Sequence, residues 1–215
     1  MLFPKFRPLQ TGLSLSLAVF IICLSVQLTL LFKPLFYFDI EYLNIEEESN
    51  LSRETIIENY DYMIDYLLNP MPQTFHLPSL DYSEHGRIHF QDVKRIFTFN
   101  YILLVITGII SIIGFYFSVR NRDFYFLKTA AAALILFTII PLVAFAVDFN
   151  TVFIIFHELF FSNDYWIFDA RTDPVITILP ETFFLHAALL ILGLILLGII
   201  LLSASYKGLS KKYNR

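Results

Sequence analysis

Four apolar stretches, residues 12–32, 96–119, 127–147 and 183–205, divide this chain more decisively than any other feature. Each reaches about 20 residues or more, the length that carries a helix through roughly 30 Å of hydrocarbon at 1.5 Å per residue. Only 16% of the residues are charged, against about 25% in a typical soluble domain. The expectation is an all-α membrane protein with four transmembrane helices. The first stretch follows Lys5 and Arg7 and is too long for a signal-peptide core, with no small-residue cleavage site before Lys33-Pro34. It is read as a retained helix. The third contains Pro141, which a membrane helix accommodates as a kink when neighbours satisfy the freed carbonyl.

The charges decide the expected orientation. Residues 1–11, the turn at 120–126 with adjoining Lys128, and the tail at 206–215 hold nine Lys or Arg and one acid, Asp123. Residues 33–95 and 148–182 hold six Lys or Arg and eighteen Asp or Glu. Positive residues stay in the cytoplasm, so both chain ends are expected inside and the two acidic segments outside. The cytoplasmic parts are then a stub, a turn and a tail. There is no phosphate loop or dinucleotide fingerprint, and neither nucleotide nor nucleic acid is expected as a partner. Cys23, the only cysteine, lies within the first span and is read as packing; no intramolecular disulfide can form.

The first outer segment is expected to form a small cap. Residues 36–43 partly alternate and are rich in strand formers, which suggests a short strand. A helix is expected from near Ser52, with Ile56, Tyr60, Met63, Ile64, Leu67 and Leu68 on one face, ending at Asn69-Pro70. The second outer segment crowds His157, Asn163, Asp164, Asp169, Arg171 and Asp173 among aromatic rings. An interfacial aromatic belt explains the rings but not this polar company.

Four of the five histidines, His76, His85, His89 and His157, fall in the outer segments, and His186 sits at the start of the fourth helix. His85, His89 and Asp92, at i, i+4 and i+7, share one face if residues 84–95 are helical. They could line a polar site or form a hydrogen-bonded interfacial face. Glu181 and His186 are accounted for by helix capping and interfacial anchoring. His157-Glu158 lacks the second histidine of a zinc-protease helix, since Phe161 stands there. No serine lies in a nucleophile-elbow context. The residues alone leave open an outer-face enzyme, a metal-dependent hydrolase using His85, His89, Asp92 and His157, and a non-catalytic sensor or partner protein. A channel is disfavoured by the near absence of charge in the spans.

Three longer patterns narrow the choice. They are His85-Gly86-Arg87-Ile88-His89-Phe90-Gln91-Asp92-Val93-Lys94, then Phe156-His157-Glu158-Leu159-Phe160-Phe161-Ser162-Asn163-Asp164-Tyr165-Trp166, and Asp173-Pro174-Val175-Ile176-Thr177-Ile178-Leu179-Pro180-Glu181-Thr182-Phe183-Phe184. Over essentially its whole length the chain resembles the lipoprotein intramolecular transacylases, four-helix proteins of the bacterial membrane. The resemblance implies an enzyme that moves the sn-2 acyl chain of a diacylglyceryl-cysteine lipoprotein to the cysteine's free α-amine. It implies no cofactor, nucleotide or metal, a lipoprotein substrate met among membrane lipids, and a site at the extracellular face.

By the same resemblance His85 and His157 are the catalytic pair, with base and acid undistinguished. His89 and Asp92 would orient them or bind the glyceryl region. Asn163, Asp164 and Arg171 are candidates for hydrogen bonds to the amine, peptide carbonyls or the oxyanion. Phe156, Phe160, Phe161, Tyr165 and Trp166 would wall a confined pocket that holds a ring of about eight atoms closed for attack.

Overall fold

The computed structural model describes residues 8–213; the basic residues Lys5, Arg7 and Arg215, which entered the charge count, lie outside that range. Seven α-helices run in order: α1 (Pro8–Leu31), α2 (Pro34–Tyr42), α3 (Ile45–Ser49), α4 (Arg53–Leu68), α5 (Glu84–Asn121), α6 (Tyr125–Phe160) and α7 (Glu181–Tyr213). A 3-10 turn, Pro174–Thr177, precedes α7, and no strand is present among the described residues. Helices α1, α5, α6 and α7, of 24, 38, 36 and 33 residues, are long and apolar enough to cross a membrane. The protein is an all-helical, multi-pass membrane protein.

Backbone contacts separate two units. Among the described residues the first takes 8–27, 101–143 and 190–213. Its surface inverts that of a soluble protein, because large side chains such as Ile112, Leu136, Ile140 and Leu201 are exposed. The buried positions are largely small: Ser14, Ala18, Cys23, Ala130, Ala131, Thr107 and Ser111. Small residues let helix backbones approach where apolar burial gives no drive in lipid. Thus a β-carbon on Gly114 would fall 2.3 Å from the Leu13 side chain. The Ser16 hydroxyl donates to the Thr107 carbonyl at 3.3 Å, and the Phe126 backbone N–H donates to the Gln10 side chain at 2.9 Å.

The second unit takes residues 28–100 and 144–189. It has a continuous core built on Phe36, Ile40, Ile45, Ile56, Tyr60, Tyr66, Phe75, Phe90, Val175 and Ile178. Helix α4 follows the expected pattern. The Ser52 hydroxyl accepts the Thr55 N–H at 3.3 Å as its cap, and Ile56, Tyr60, Met63 and Ile64 are buried. The expected strand at 36–43 is instead helix α2. Pro34 supplies the pre-set φ of a first helical turn, and Phe36, Asp39 and Ile40 are buried at i, i+3 and i+4. The Phe36 ring stacks on Tyr60 with centroids 3.7 Å apart, so tertiary packing overrides the local strand preference. Asn44 and Asn50 take left-handed conformations at φ 52° and 55° that reverse the chain on either side of α3. Asparagine tolerates that region better than most residues.

Two further departures concern the ends of the membrane helices. Pro141 lies inside α6, but the residue that leaves helical geometry is Asp148, at φ −163° and ψ 100°. Its carboxylate accepts the Thr151 N–H at 3.2 Å and so starts a fresh helical segment over 149–160. At the other boundary His186 does more than anchor an interface. Its Nδ1 lies 2.8 Å from Asp39 Oδ1, and Asp39 is fully buried. Burial raises the Asp39 carboxyl pKa, against the opposing effect of His186.

Candidate active site

The site assembles in the second unit from the first turns of α5, the last turns of α6 and the segment that follows. The Ser83 hydroxyl accepts the Gly86 N–H at 3.0 Å and caps α5. The Ser83 N–H in turn donates to Asp173 Oδ1 at 2.8 Å, and Thr172 donates to Asp173 Oδ2 at 2.8 Å. Asp173 is only 3% exposed. Its close approach explains Gly86, where a β-carbon would sit 2.1 Å from Asp173 Oδ1. The segment carrying Asn163, Tyr165 and Trp166 is thereby pinned to the helix carrying His85 and His89.

From that frame the side chains converge. His85 is exposed on one face and stacks on Tyr165 with centroids 4.1 Å apart and planes within 11°. Tyr165 is set by its own N–H, which donates to the Asn163 side-chain oxygen at 3.1 Å. The Asn163 amide nitrogen donates to Asp92 at 3.3 Å, and Arg95 donates to the other Asp92 oxygen at 2.6 Å. Asp92 is therefore linked to His85 through Asn163 and Tyr165.

His157 is half-buried, with Trp166 at 4.7 Å and Phe153 at 4.1 Å between centroids. Its Nδ1 is 2.7 Å from the Phe153 carbonyl. A carbonyl can only accept, so Nδ1 carries the proton and Nε2 holds the free lone pair. His89, 7% exposed, lies 6.2 Å from His157 between ring centroids and packs on Phe161 at 4.8 Å and Phe168 at 5.3 Å.

Burial and the neighbouring His157 push the His89 pKa down to about 4, against a smaller upward pull from Asp92. Burial also lowers that of His157, opposed by its bond to the Phe153 carbonyl. Both rings are neutral near pH 7. The sign of the linkage follows: between pH 6.5 and about 4 the unfolded chain takes up a proton at residue 89 that the folded chain refuses. Stability is therefore expected to fall as pH drops through that window, and to be flat above it for this group. Between pH 6.5 and 5 the wild type should lose about 2 kcal/mol that His89→Gln does not. Thermal unfolding in detergent at the two pH values measures the difference; equal losses would show that His89 is not the group responsible.

Not every expected residue joins the cluster. Phe161 is buried, and Tyr165 and Trp166 are partly so, but Phe156 and Phe160 are 46% and 52% exposed and pack on each other at 4.6 Å. Phe161, Tyr165 and Trp166 lie against the histidines, joined by Phe153, Phe168 and Phe90, which the sequence reading passed over, while Phe156 meets His157 edge-on at 5.6 Å. Phe153 was legible as the i−4 neighbour of His157 once residues 149–160 are seen to be helical. The exposed Arg171 guanidinium lies on Asp169 with contacts of 2.6–3.1 Å, and Asp164 is exposed. His76 bonds the Tyr82 hydroxyl at 2.8 Å, away from the cluster. Among the described residues no group of three or more His, Cys, Asp and Glu is placed to hold a metal ion.

Four membrane-length helices and a histidine cluster packed among aromatic rings define a polytopic membrane protein. The family model "Lipoprotein intramolecular transacylase Lit" matches residues 11–184. The chain belongs to the lipoprotein intramolecular transacylase family and is an acyltransferase. The solved structure of the membrane-integral transacylase Lit from Bacillus cereus is similar at TM-score 0.93, with 39% identity over 96% of each chain. Structures of that protein with an H85R and an H85A mutation are similar at TM-score 0.87 and 38% identity. They cover 96% of this chain and 92% and 94% of theirs. Comparison with curated proteins finds no match.

Proposed function

We propose that the protein transfers the sn-2 acyl chain of a diacylglyceryl-cysteine lipoprotein to that cysteine's own α-amine, at the extracellular face of the bacterial cell membrane. Its products are an N-acyl, lyso-glyceryl lipoprotein and nothing else. The charge asymmetry of the segments supports the outward orientation, with both chain ends in the cytoplasm.

The observation that carries the mechanism is the bond from His157 Nδ1–H to the Phe153 carbonyl. It leaves Nε2 as a lone pair and makes His157 the base. An α-amine, with a pKa of about 7.7–8.0, is largely protonated at neutral pH, so attack proceeds from its neutral fraction. Nitrogen bonds to the acyl carbon, and His157 takes the proton released from the nitrogen. The carbon–oxygen bond to the glycerol then breaks, and His85, stacked on Tyr165, delivers a proton to the departing oxygen. Each histidine would contribute a general acid–base factor of about 10²–10⁴. The rings hold the bent substrate, since an eight-membered approach is entropically costly when free.

The test uses purified full-length protein in detergent and a synthetic diacylglyceryl lipopeptide with no additive. Loss of the reactive α-amine at constant mass, with fragmentation placing the acyl group on nitrogen, is the expected result, and His85→Ala should slow it by at least about a hundredfold. Release of free fatty acid would instead indicate a hydrolase. An unchanged lipopeptide with folded protein would favour a binding or sensing role.

A further inference from the structure

Acyl transfer passes through a tetrahedral intermediate whose oxygen carries negative charge. Donors fixed in place before that charge develops stabilise it most. The sequence offered Asn163, Asp164 and Arg171 for this role, and in the structure Asn163 and Arg171 each have a carboxylate partner. The Asn163 amide nitrogen donates to Asp92, and the Arg171 guanidinium lies on Asp169. Asp164 is exposed.

His89 is different. Its Nδ1 is enclosed by protein and has no hydrogen-bond partner. A buried N–H without an acceptor is rarer than an under-satisfied acceptor, so the ring proton belongs on Nε2. Phe161, Phe168 and Phe90 pack around the ring at 4.8, 5.3 and 5.9 Å and hold its plane. The neighbouring ring at 6.2 Å is His157, whose free nitrogen is an acceptor. A donor and a base therefore stand on neighbouring rings, the pairing required when an amine attacks a carbonyl and charge gathers on its oxygen.

We propose that His89 is a catalytic residue of this reaction, its Nε2–H donating to the sn-2 acyl carbonyl oxygen as that oxygen becomes an oxyanion; the assignment rests on the acyl-transfer reading above. When the carbon–nitrogen bond forms, the carbonyl π pair moves onto oxygen and meets this N–H. When the intermediate collapses, the carbonyl re-forms and the bond to the sn-2 glycerol oxygen breaks. The amine proton is on His157 and the new hydroxyl proton comes from His85. His89 keeps its proton throughout. Its depressed pKa, near 4 through burial, keeps the ring from adding a second proton at neutral pH. A neutral imidazole in such surroundings acts as an electrophile rather than an acid.

The experiment compares the diacylglyceryl lipopeptide with an analogue whose sn-2 ester carbonyl oxygen is replaced by sulfur, a poor hydrogen-bond acceptor. Wild-type protein in detergent is expected to prefer the oxygen ester by about tenfold or more over the preference of uncatalysed aminolysis. His89→Phe fills the space without a donor. It should lower kcat on the oxygen ester by about 10²–10³-fold, leave KM within about twofold, and bring the oxygen-over-sulfur preference down to the solution value. His89→Gln, which restores an N–H near the Nε2 position, should recover at least about tenfold of the lost kcat. Should His89→Phe not fold, His89→Met serves as the variant without a donor. An unmoved preference in the donor-free variant, or His89→Gln no faster than it, overturns the assignment. A wild-type protein that leaves the amine unblocked overturns the acyl-transfer reading itself.

Discussion

Replacing His157 with alanine is expected to slow amine blocking of the lipopeptide by about 10²–10⁴-fold, the usual contribution of a positioned general base. The reason lies in one bond. With Nδ1 committed to the Phe153 carbonyl, the ring can do nothing at Nε2 but accept a proton, and no other described side chain is fixed in that sense beside His89. The pH profile separates this role from packing. The neutral fraction of the amine falls about tenfold per pH unit below its pKa; because burial lowers the His157 pKa, the additional acidic limb from protonating this ring should set in only below pH 6.5. His157→Gln keeps a polar side chain of similar reach without a proton-accepting nitrogen. It should be as slow as His157→Ala and lose that acidic limb. A His157→Gln variant with near wild-type kcat would remove His157 from the mechanism.

Gly86→Ala is expected to destabilise this protein and to slow its reaction while it is still folded. The new β-carbon would stand 2.1 Å from Asp173 Oδ1 and 3.3 Å from the Phe168 ring, and the first separation cannot be tolerated. Asp173 must move, and in moving it releases the Ser83 N–H and the Thr172 hydroxyl inside protein. A buried carboxylate stripped of its donors costs roughly 3 kcal/mol. It also frees the segment that holds Tyr165 on His85 and Trp166 on His157, so activity should fall at temperatures where the variant is still folded. Thermal unfolding in detergent, read beside the lipopeptide assay, measures both effects. The double variant Gly86→Ala with Asp173→Ala gives the control. Removing the carboxylate removes the clash, so the glycine substitution should then cost far less than it does alone. Additive losses would mean that some other contact explains Gly86.

Gly86 and Asp173 also mark the limit of what the amino-acid order discloses. Gly86 reads as a weak point in a helix and Asp173 as one more acid in a polar run; their contact spans 87 residues and leaves no local trace. The same holds for His89. Its spacing from His85 is visible, but enclosure of Nδ1 depends on Phe161 and Phe168, which arrive from another part of the chain. Phe156 and Phe160 show the opposite. Their ring chemistry is evident, yet both are exposed and pack on each other, with Phe156 also meeting His157 edge-on at 5.6 Å.

The membrane architecture, by contrast, was set by the sequence alone, because it follows from a single physical demand. A run of about 20 apolar residues in water is so costly that lipid is its only solvent, and backbone hydrogen bonding in lipid permits only the helix. Helix α4 was legible for a similar reason: Ser52 as cap, a one-sided apolar stripe and Asn69-Pro70 as stop all act within neighbouring turns. What only the tertiary structure decided was local identity at long range. Residues 36–43 became a helix because Phe36 and Ile40 find Tyr60 and the rest of one core. Asp39 became buried because His186, 147 residues later, is there to meet it. The isolation of His89 belongs to the same class, whereas the His157 tautomer follows from its own helix, where the Phe153 carbonyl lies four residues earlier. A proton's position on a ring is fixed by the partners around it, and for His89 the rings that enclose it are brought together by packing rather than by order along the chain.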